Sequence, residues 1–373
     1  MTFRQNNIIG RFAAIPWGLV TLIAALALIG TAMLYSATIT NPGEANLPAK
    51  HFGRFMMALP VMILLALIPL RLWMRAAAPA YIVTMIMLIG VEFFGTVRGG
   101  AQRWLDVGPT LVQPSEFMKV ALILALARYY QLTLEGRSGG LLVHLGALAL
   151  ILAPAALIIK QPDLGTTLTL VAIGGITIYF AGLRWRVILP VLGLGAAAVP
   201  LAYHFLLEPY QKKRVETLWN PGADPLGAGY QSEQAKIAIG SGGWDGKGFT
   251  QGTQSQLDYI PEQHTDFIYT VIAEEFGFLG AVGLLALWAT VIGWMLVIAA
   301  RSPSIFGRYA AVSSAATIAF YVLFNVGMVA GLLPVVGIPM PLISHAGTAM
   351  LTVMVALGIT LAVDLHRTQQ ISR

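Results

Sequence analysis

The segment AAIPWGLVTLIAALALIGTAMLYSA, residues 13–37, contains 25 residues and no charged side chain. A membrane-spanning helix needs about 20 mainly apolar residues, so this segment is long enough to cross a bilayer. It is too long for the apolar core of a signal peptide, and it ends without a small-x-small cleavage site. We therefore expect it to remain in the protein as a membrane anchor.

Nine further apolar stretches follow, and together with the first they predict ten membrane-spanning helices. They lie at about residues 55–70, 78–95, 117–130, 141–159, 164–182, 187–207, 267–299, 309–331 and 342–363. Of the 373 residues, 57% are hydrophobic and 11% are charged, whereas an ordinary soluble domain has roughly 25% charged residues. This composition excludes a water-soluble enzyme. It predicts an all-α, polytopic fold with one membrane domain over residues 1–373.

Basic residues occur in pairs at alternate connections between these segments. The pairs are Arg4 and Arg11, Arg71 and Arg75, Arg128 and Arg137, Arg184 and Arg186, Arg301 and Arg308, and Arg367 and Arg373. Short cytoplasmic loops are enriched in Lys and Arg, so the pattern predicts a multi-pass protein with both termini in the cytoplasm. The net charge of +6 then reflects membrane sidedness, and we expect no nucleic-acid partner.

Residues 208–265 form a polar, glycine-rich stretch without clear periodicity, which we expect to be a large extracytoplasmic loop with a function. Its glycines do not match a nucleotide-binding phosphate loop, because Ser241 stands where the first glycine is required and Gly248 follows Lys247. The chain has no cysteine, which excludes disulfides and thiolate chemistry. The six histidines are too far apart in sequence to indicate a metal site.

Two charged residues interrupt the fourth apolar stretch. In QPSEFMK, residues 113–119, Glu116 and Lys119 are spaced i and i+3 and therefore share one face of a helix that Pro114 can begin. Ionisable groups within a membrane are costly and usually pair with each other or serve a pathway. The pair is either a structural ion pair or a site in which Lys119 is the counter-ion of an anionic ligand.

Each of the other candidate residues also has two interpretations. Asp163 and Asp266 each precede an apolar helix, where a carboxylate either caps the helix or faces a functional cavity. Arg103, next to Trp104, either anchors the chain at the membrane surface or binds a diphosphate through its planar guanidinium. Lys212 begins a basic cluster that is either solvated or steers an anionic lipid substrate.

Six segments resemble the SEDS (shape, elongation, division and sporulation) family of membrane glycosyltransferases, and the elongation branch in particular. They are GAQRW (100–104), QPSEFMK (113–119), KQPDLGTT (160–167), GYQSEQAKIAIGSGG (229–243), GTQSQLDYIPEQHTDFI (252–268) and GLLPVVGIPMPLIS (331–344). The family usually continues Ile-Ser with Tyr-Gly-Gly. This chain has His345, Ala346 and Gly347 after Ser344.

The resemblance implies a peptidoglycan glycosyltransferase that polymerises lipid II on the outer face of the bacterial cytoplasmic (inner) membrane for cell elongation and rod shape. Asp266 matches the catalytic carboxylate, which would deprotonate an acceptor hydroxyl in an inverting displacement. Glu116 and Lys119 match a polar pair beside the central cavity. Arg103 and Lys119 would stabilise the departing undecaprenyl diphosphate.

Asp163, Lys212 and Ser344 complete the candidate substrate-binding set. No cofactor is certain, although a divalent cation, Mg²⁺ or Mn²⁺, could share the stabilisation of the diphosphate. The expected partners are lipid II and lipid-linked glycan, membrane lipids, the elongation machinery and a class B penicillin-binding protein. Small residues such as Gly327 would permit that protein's helix to pack closely, or they serve packing within this chain. The alternative functions are a flippase for the lipid-linked precursor and a scaffold without chemistry of its own.

Overall fold

The computed structural model of the chain describes residues 8–98, 101–108, 110–134, 140–205, 209–220, 224, 227–257 and 259–367. Several positions used in the sequence predictions lie outside these residues. They are Arg4, Gly100, Glu208 at the start of the predicted loop, Arg137 and Arg373.

Within the described residues the chain forms fourteen helices and three short strands. In chain order they are α1 (Ile8–Ala13), α2 (Trp17–Thr38), α3 (Leu47–Leu67), α4 (Leu70–Phe94), β1 (Thr96–Arg98), β2 (Ala101–Val107), β3 (Thr110–Val112), α5 (Pro114–Leu134), α6 (Leu141–Lys160), α7 (Leu164–Phe180), α8 (Trp185–Phe205), α9 (Pro209–Trp219), α10 (Ala228–Gly242), α11 (Thr253–Gln256), α12 (Ile268–Arg301), α13 (Ile305–Val329) and α14 (Gly347–Leu365).

The predicted helical membrane fold is confirmed, because every predicted apolar stretch coincides with a helix. In the part of the chain that the structure describes, eight helices are long and apolar enough to span a bilayer: α2, α3, α4, α5, α6, α12, α13 and α14. The other two predicted spans are shorter apolar helices, namely α7 and the Trp185–Gly195 part of α8. Helices α5, α13 and α14 are the most buried spans and form the centre of the bundle.

The expectation of a non-periodic loop over residues 208–265 is wrong in part, because this stretch contains α9, α10 and α11. Helix α10 lacks a distinct apolar face and packs through small residues. Ala235 and Ala238 are fully buried, and a Cβ at Gly242 would lie 2.0 Å from the carbonyl oxygen of Ala273 on α12. Close packing of alanine and glycine explains why hydrophobic periodicity did not reveal this helix.

A three-stranded antiparallel sheet between α4 and α5 was not expected either. Strand β2 is central, with Thr96 of β1 opposite Trp104 and Val112 of β3 opposite Leu105. The sheet gives Arg103 and Trp104 a fixed position directly before α5.

Helix α12 is interrupted at Gly277, whose φ of 63° suits glycine far better than residues with a side chain. The loop after α10 packs into this break, and a Cβ at Gly277 would lie 2.4 Å from the amide nitrogen of Gly246. The nine residues before the break therefore form a separate short helical segment at the start of α12.

Two buried carboxylates hold the first segment of α12 in place. The segment between α10 and α12, called the outer loop below, is bonded to one of them. Glu274 accepts hydrogen bonds from Lys247 Nζ at 2.7 Å and from the backbone amides of Gln254 at 2.8 Å and Ser255 at 3.2 Å. Glu275 accepts a hydrogen bond from the Ser36 hydroxyl on α2. Hydrogen bonds to a charged group are stronger than neutral ones, so the loop and the segment are held together.

Candidate active site

A cavity of about 400 Å³ lies where the first turns of α5, α7 and α14 converge. Strand β2, helix α9 and the segments at 265–266 and 336–339 complete its wall. Its polar and charged lining side chains are Arg103, Gln113, Glu116, Lys119, Asp163, Thr166, Thr169, Arg214, Thr265, Asp266, Tyr321 and Thr348. Three helix N-termini give the cavity a partial positive potential in addition to its three cationic side chains.

Glu116 and Lys119 form the predicted ion pair on α5, with Lys119 Nζ 2.6 Å from Glu116 Oε1. The pair belongs to a larger network. Lys119 also donates to the Tyr321 hydroxyl of α13 at 2.5 Å, and Glu116 accepts from the Thr352 hydroxyl of α14 at 2.9 Å. Both charged side chains are almost fully buried. An ammonium has three N–H donors, so the two bonds leave Lys119 one donor for a ligand in the cavity.

Asp163 satisfies both of its interpretations. Its carboxylate caps α7, accepting from the Thr166 amide at 3.1 Å and the Thr166 hydroxyl at 2.9 Å. Gln113, directly before α5, donates to the same carboxylate at 3.3 Å. The bond from Gln113 joins the start of α5 to the capped start of α7. Asp163 also lines the cavity, so both helix starts lie at the cavity wall.

Arg103 and Trp104 both line the cavity, so membrane anchoring is not their only role. Arg103 Nε donates to the backbone oxygen of Gln161 at 3.0 Å, and its Nη2 donates to the backbone oxygen of Pro162. These bonds tie strand β2 to the turn between α6 and α7. Two of the five guanidinium N–H groups are thereby used, and the rest are available to an anion in the cavity.

Asp266 lies in the cavity wall, next to the beginning of α12, and it does not cap the helix. The residue at the cap position is Phe267, and no side chain there makes a capping hydrogen bond. The pKa of Asp266 is raised to about 6, chiefly by burial and also by the nearby Glu262 carboxylate, while Arg214 acts in the opposite direction. Desolvation is therefore the largest influence on this pKa. The resulting carboxylate is mostly ionised at neutral pH and is a stronger base than an ordinary aspartate.

Asn325 joins the backbone of Asp266 to that of the 336–339 segment, a role that the sequence analysis did not identify. Its amide on α13 donates to the backbone oxygen of Asp266 at 2.8 Å and to that of Ile338 at 2.7 Å. A Cβ at the adjoining Gly337 would lie 3.4 Å from the Asp266 carboxylate. An amide within an apolar helix was the signal that could have identified it, since buried polar groups need partners.

Two members of the candidate set do not line the cavity. Lys212 Nζ donates to the backbone oxygen of His204 at 3.1 Å and lies over the Tyr203 ring. Ser344 is buried, and its hydroxyl accepts from the Met340 amide at 2.8 Å, which shapes the turn before α14. Arg214, two residues after Lys212, lines the cavity instead. Two residues of helix rotate a side chain by more than half a turn, which separates the two positions.

The residues present do not form an evident site for the divalent cation. Among the described residues, no group of three or more His, Cys, Asp or Glu side chains is arranged to hold a metal ion. Of the carboxylates in the cavity, Glu116 is paired with Lys119 and Asp163 caps a helix. We therefore assign no residue to a metal and derive no step through one.

A second cavity, apolar and about 420 Å³ in volume, adjoins the first between α4, α5 and α14. Glu116 and Thr348 line both cavities. Side chains such as Val83, Phe117 and Leu351, exposed on the outer surface of the bundle, line the apolar one. The arrangement suits a ligand with a polar part and a hydrocarbon part.

Comparisons with known proteins give a consistent result. Residues 14–369 match the FtsW/RodA/SpoVE family model, described as a cell cycle protein. The chain is 43% identical over 357 residues to the peptidoglycan glycosyltransferase MrdB of Escherichia coli K12, covering 94% of this chain and 95% of that protein. It is 34% identical over 371 residues to a probable peptidoglycan glycosyltransferase FtsW of Trichlorobacter lovleyi, covering 95% and 94%.

Solved structures agree with the sequence comparisons. The rod shape determining protein RodA of Thermus thermophilus superposes with a TM-score of 0.71 at 29% identity, covering 95% of this chain and 98% of that one. A chain from a structure on coordination of polymerization and crosslinking by a peptidoglycan synthase complex superposes with a TM-score of 0.82 at 31% identity, covering 95% and 99%. The similarity extends over the whole bundle and over the outer segments that surround the cavity.

Proposed function

This chain belongs to the FtsW/RodA/SpoVE family, and we propose on that premise that it is a peptidoglycan glycosyltransferase that polymerises lipid II. The observation that carries the proposal is the position of Asp266. A half-buried carboxylate with a raised pKa shares one cavity with the cations Arg103, Lys119 and Arg214. Glycosyl transfer from a lipid diphosphate needs one base and several positive charges.

Asp266 is the general base of this reaction. It accepts the proton of the 4-hydroxyl of the acceptor sugar, and the hydroxyl oxygen attacks the anomeric carbon of the donor. The new glycosidic bond forms as the bond to the lipid diphosphate breaks, so one displacement inverts the anomeric centre. A base with a pKa of about 6 is suited to this step, because it is ionised at neutral pH and still has appreciable affinity for a proton.

The cations compensate the negative charge that develops on the diphosphate. Lys119 has one free donor and is held in place by Glu116 and Tyr321. Arg103 is fixed by its bonds to the turn after α6 and contributes its remaining N–H groups. Prepositioned charges of this kind stabilise a transition state without reorganisation during the reaction. The adjoining apolar cavity supports a lipid-linked substrate, since it could hold part of the hydrocarbon chain.

We place the protein in the bacterial cytoplasmic membrane, with both termini in the cytoplasm, the cavity near the outer surface and a single domain over the whole chain. The paired basic residues at alternate connections support this orientation. Cell elongation is the proposed setting, because the rod-shape relatives are among the proteins most similar to this chain.

Purified protein supplied with labelled lipid II in detergent tests the function. We expect glycan polymer from the wild-type protein and none from Asp266→Asn, which removes the proton acceptor and preserves the shape of the side chain. Transport has no meaning in detergent, so a flippase or a scaffold would give no polymer from either protein. An Asn variant that folds and polymerises normally would refute the assignment of the base.

We also propose a class B penicillin-binding protein as a partner, since a structurally similar chain comes from a peptidoglycan synthase complex that coordinates polymerization and crosslinking. A stable contact with Gly327 is not supported, because a Cβ there would lie 2.8 Å from Leu333 of this chain. The exposed residues Leu323 on α13 and Ala330, directly after that helix, are the better candidate. Co-purification in mild detergent should weaken with Leu323→Trp, while unchanged recovery of the complex would exclude this face.

A further inference from the structure

Arg54 on α3 is a cation outside the set of residues that line the catalytic cavity. Its Nη1 donates to Nε2 of His345 at 3.0 Å, and a Cβ at Gly347 would lie 3.2 Å from its Cζ. The guanidinium thus packs against the first residue of α14. Among the described residues, no carboxylate lies within salt-bridge distance of Arg54.

His345 orients Arg54 without neutralising its charge. The pKa of His345 is lowered to about 4, chiefly by burial and also by the positive charge of Arg54, so the imidazole is neutral near pH 7. Its Nε2 accepts from Arg54, which places the ring proton on Nδ1, a buried atom without a partner in the described part of the chain. The guanidinium therefore keeps a full positive charge and most of its donors.

The beginning of α14 adds to this positive potential. The helix starts at Gly347, and the residue before it, Ala346, provides no capping hydrogen bond from its side chain. The amide groups of a first helical turn have no partners within the helix, and the helix dipole favours an anion beside them. Arg54 is held at the same turn, so the two features reinforce each other.

A stripe along α3 indicates that the anion is attached to a hydrocarbon chain. Lys50, Arg54, Met57, Val61 and Leu64 are spaced by four, three, four and three residues and so share one face of the helix. Lys50 is exposed, and Met57, Val61 and Leu64 are exposed by 68%, 39% and 62%. Two cations thus stand directly above an apolar, lipid-facing stripe.

We propose that Arg54, Lys50 and the first turn of α14 form a second diphosphate subsite, which binds the lipid-linked acceptor. This inference rests on the proposed function, because the polymerase joins two substrates that each carry a diphosphate. The cations of the catalytic cavity serve the diphosphate that leaves. Ala346 and Thr348 line that cavity and Gly347 between them packs against Arg54, so the two subsites share the first turn of α14.

Binding of labelled farnesyl diphosphate to the purified full-length protein tests this inference. The compound has a diphosphate and a polyprenyl chain but no sugar, so it binds without reacting. We expect two binding sites in the wild-type protein. Arg54→Gln should weaken one of them by at least about tenfold, since charge-assisted hydrogen bonds are lost. Lys50→Gln, on the surface, should weaken the same site several-fold, and the exposed control Arg186→Gln at the other end of the bundle should change neither.

Each outcome decides the proposal. Wild-type binding in both Arg54→Gln and Lys50→Gln would overturn it, and Lys50→Gln suffices if the arginine variant does not fold. Equal competition by phosphatidylglycerol or by inorganic pyrophosphate would also overturn it, because the site would then not select a lipid-linked diphosphate. Two-site binding without polymerisation would refute the proposed function alone. Polymerisation together with farnesyl diphosphate binding that neither Arg54→Gln nor Lys50→Gln weakens would refute the subsite alone.

Discussion

Removal of Glu116 should destabilise the protein more than removal of Glu116 and Lys119 together. In Glu116→Gln, the Lys119 ammonium remains buried without a carboxylate partner, and neutral oxygens, those of the Tyr321 hydroxyl and the introduced amide, are left to accept its hydrogen bonds. Breaking a buried ion pair by removal of one partner costs about 3 to 5 kcal/mol. Tyr321 offsets part of this, since a hydrogen bond to a charged group contributes about 1.5 to 3 kcal/mol. We therefore expect a loss of about 2 kcal/mol in the free energy of unfolding.

The double variant Glu116→Gln, Lys119→Met removes both charges and should recover most of that loss, because an apolar replacement of a buried ion pair is often neutral. Reversible unfolding in mixed detergent micelles, measured for both single variants and the double variant, gives the coupling energy. Thr352→Val is a matched control, since it removes the other hydrogen bond to Glu116 and leaves both charges. Its expected cost is about 1 kcal/mol.

Equal stability of Glu116→Gln and the wild-type protein would refute the assignment of a tightly coupled pair. A double variant as unstable as the single variant would refute the explanation by an unpaired charge, since Lys119 would then not be the origin of the loss. Polymerisation activity should be lost in all variants that change Lys119. Activity therefore does not report on the pairing, whereas stability does.

Three further predictions concern the site and the topology. Burial raises the pKa of Asp266 to about 6, so protonation of this carboxylate should lower the polymerisation rate about tenfold per pH unit below that value. A rate independent of pH down to about 5 would contradict this prediction. Asn325→Leu should leave two backbone oxygens unpaired and lower the free energy of unfolding by about 1 to 3 kcal/mol for each, as measured by thermal unfolding. The polymerisation rate should fall as well, as measured by the polymerisation assay. In intact cells, an impermeant thiol reagent should label Asp245→Cys, on the exposed outer loop, but not Gly140→Cys before α6, and the reverse pattern would invert the topology.

Features with a local sequence pattern could be predicted from the chain alone. The i and i+3 spacing of Glu116 and Lys119 placed both on one face of α5, and the position of Asp163 before an apolar run indicated its cap. The ten apolar stretches predicted the helices because length and hydropathy are the dominant signals in a membrane.

Features that depend on tertiary contacts could not be predicted. Tyr321 and Thr352 are 202 and 236 residues distant from their partners in α5, so no spacing rule connects them. Arg214 rather than Lys212 reaches the cavity because α9 is a helix, and its polar sequence did not indicate one. The pKa of Asp266 depends on burial, which the sequence does not specify.

The break at Gly277 connects the outer loop to the short helical segment that follows Asp266. Residues 268–276 begin directly after Asp266, and Glu274 and Glu275 attach the loop and α2 to them. The rest of α12 begins beyond the glycine, so the break separates a short helical segment from the long membrane-embedded part of the helix. A protein that binds the loop and displaces it would therefore displace the short segment, and with it Asp266, before the membrane-embedded part of α12.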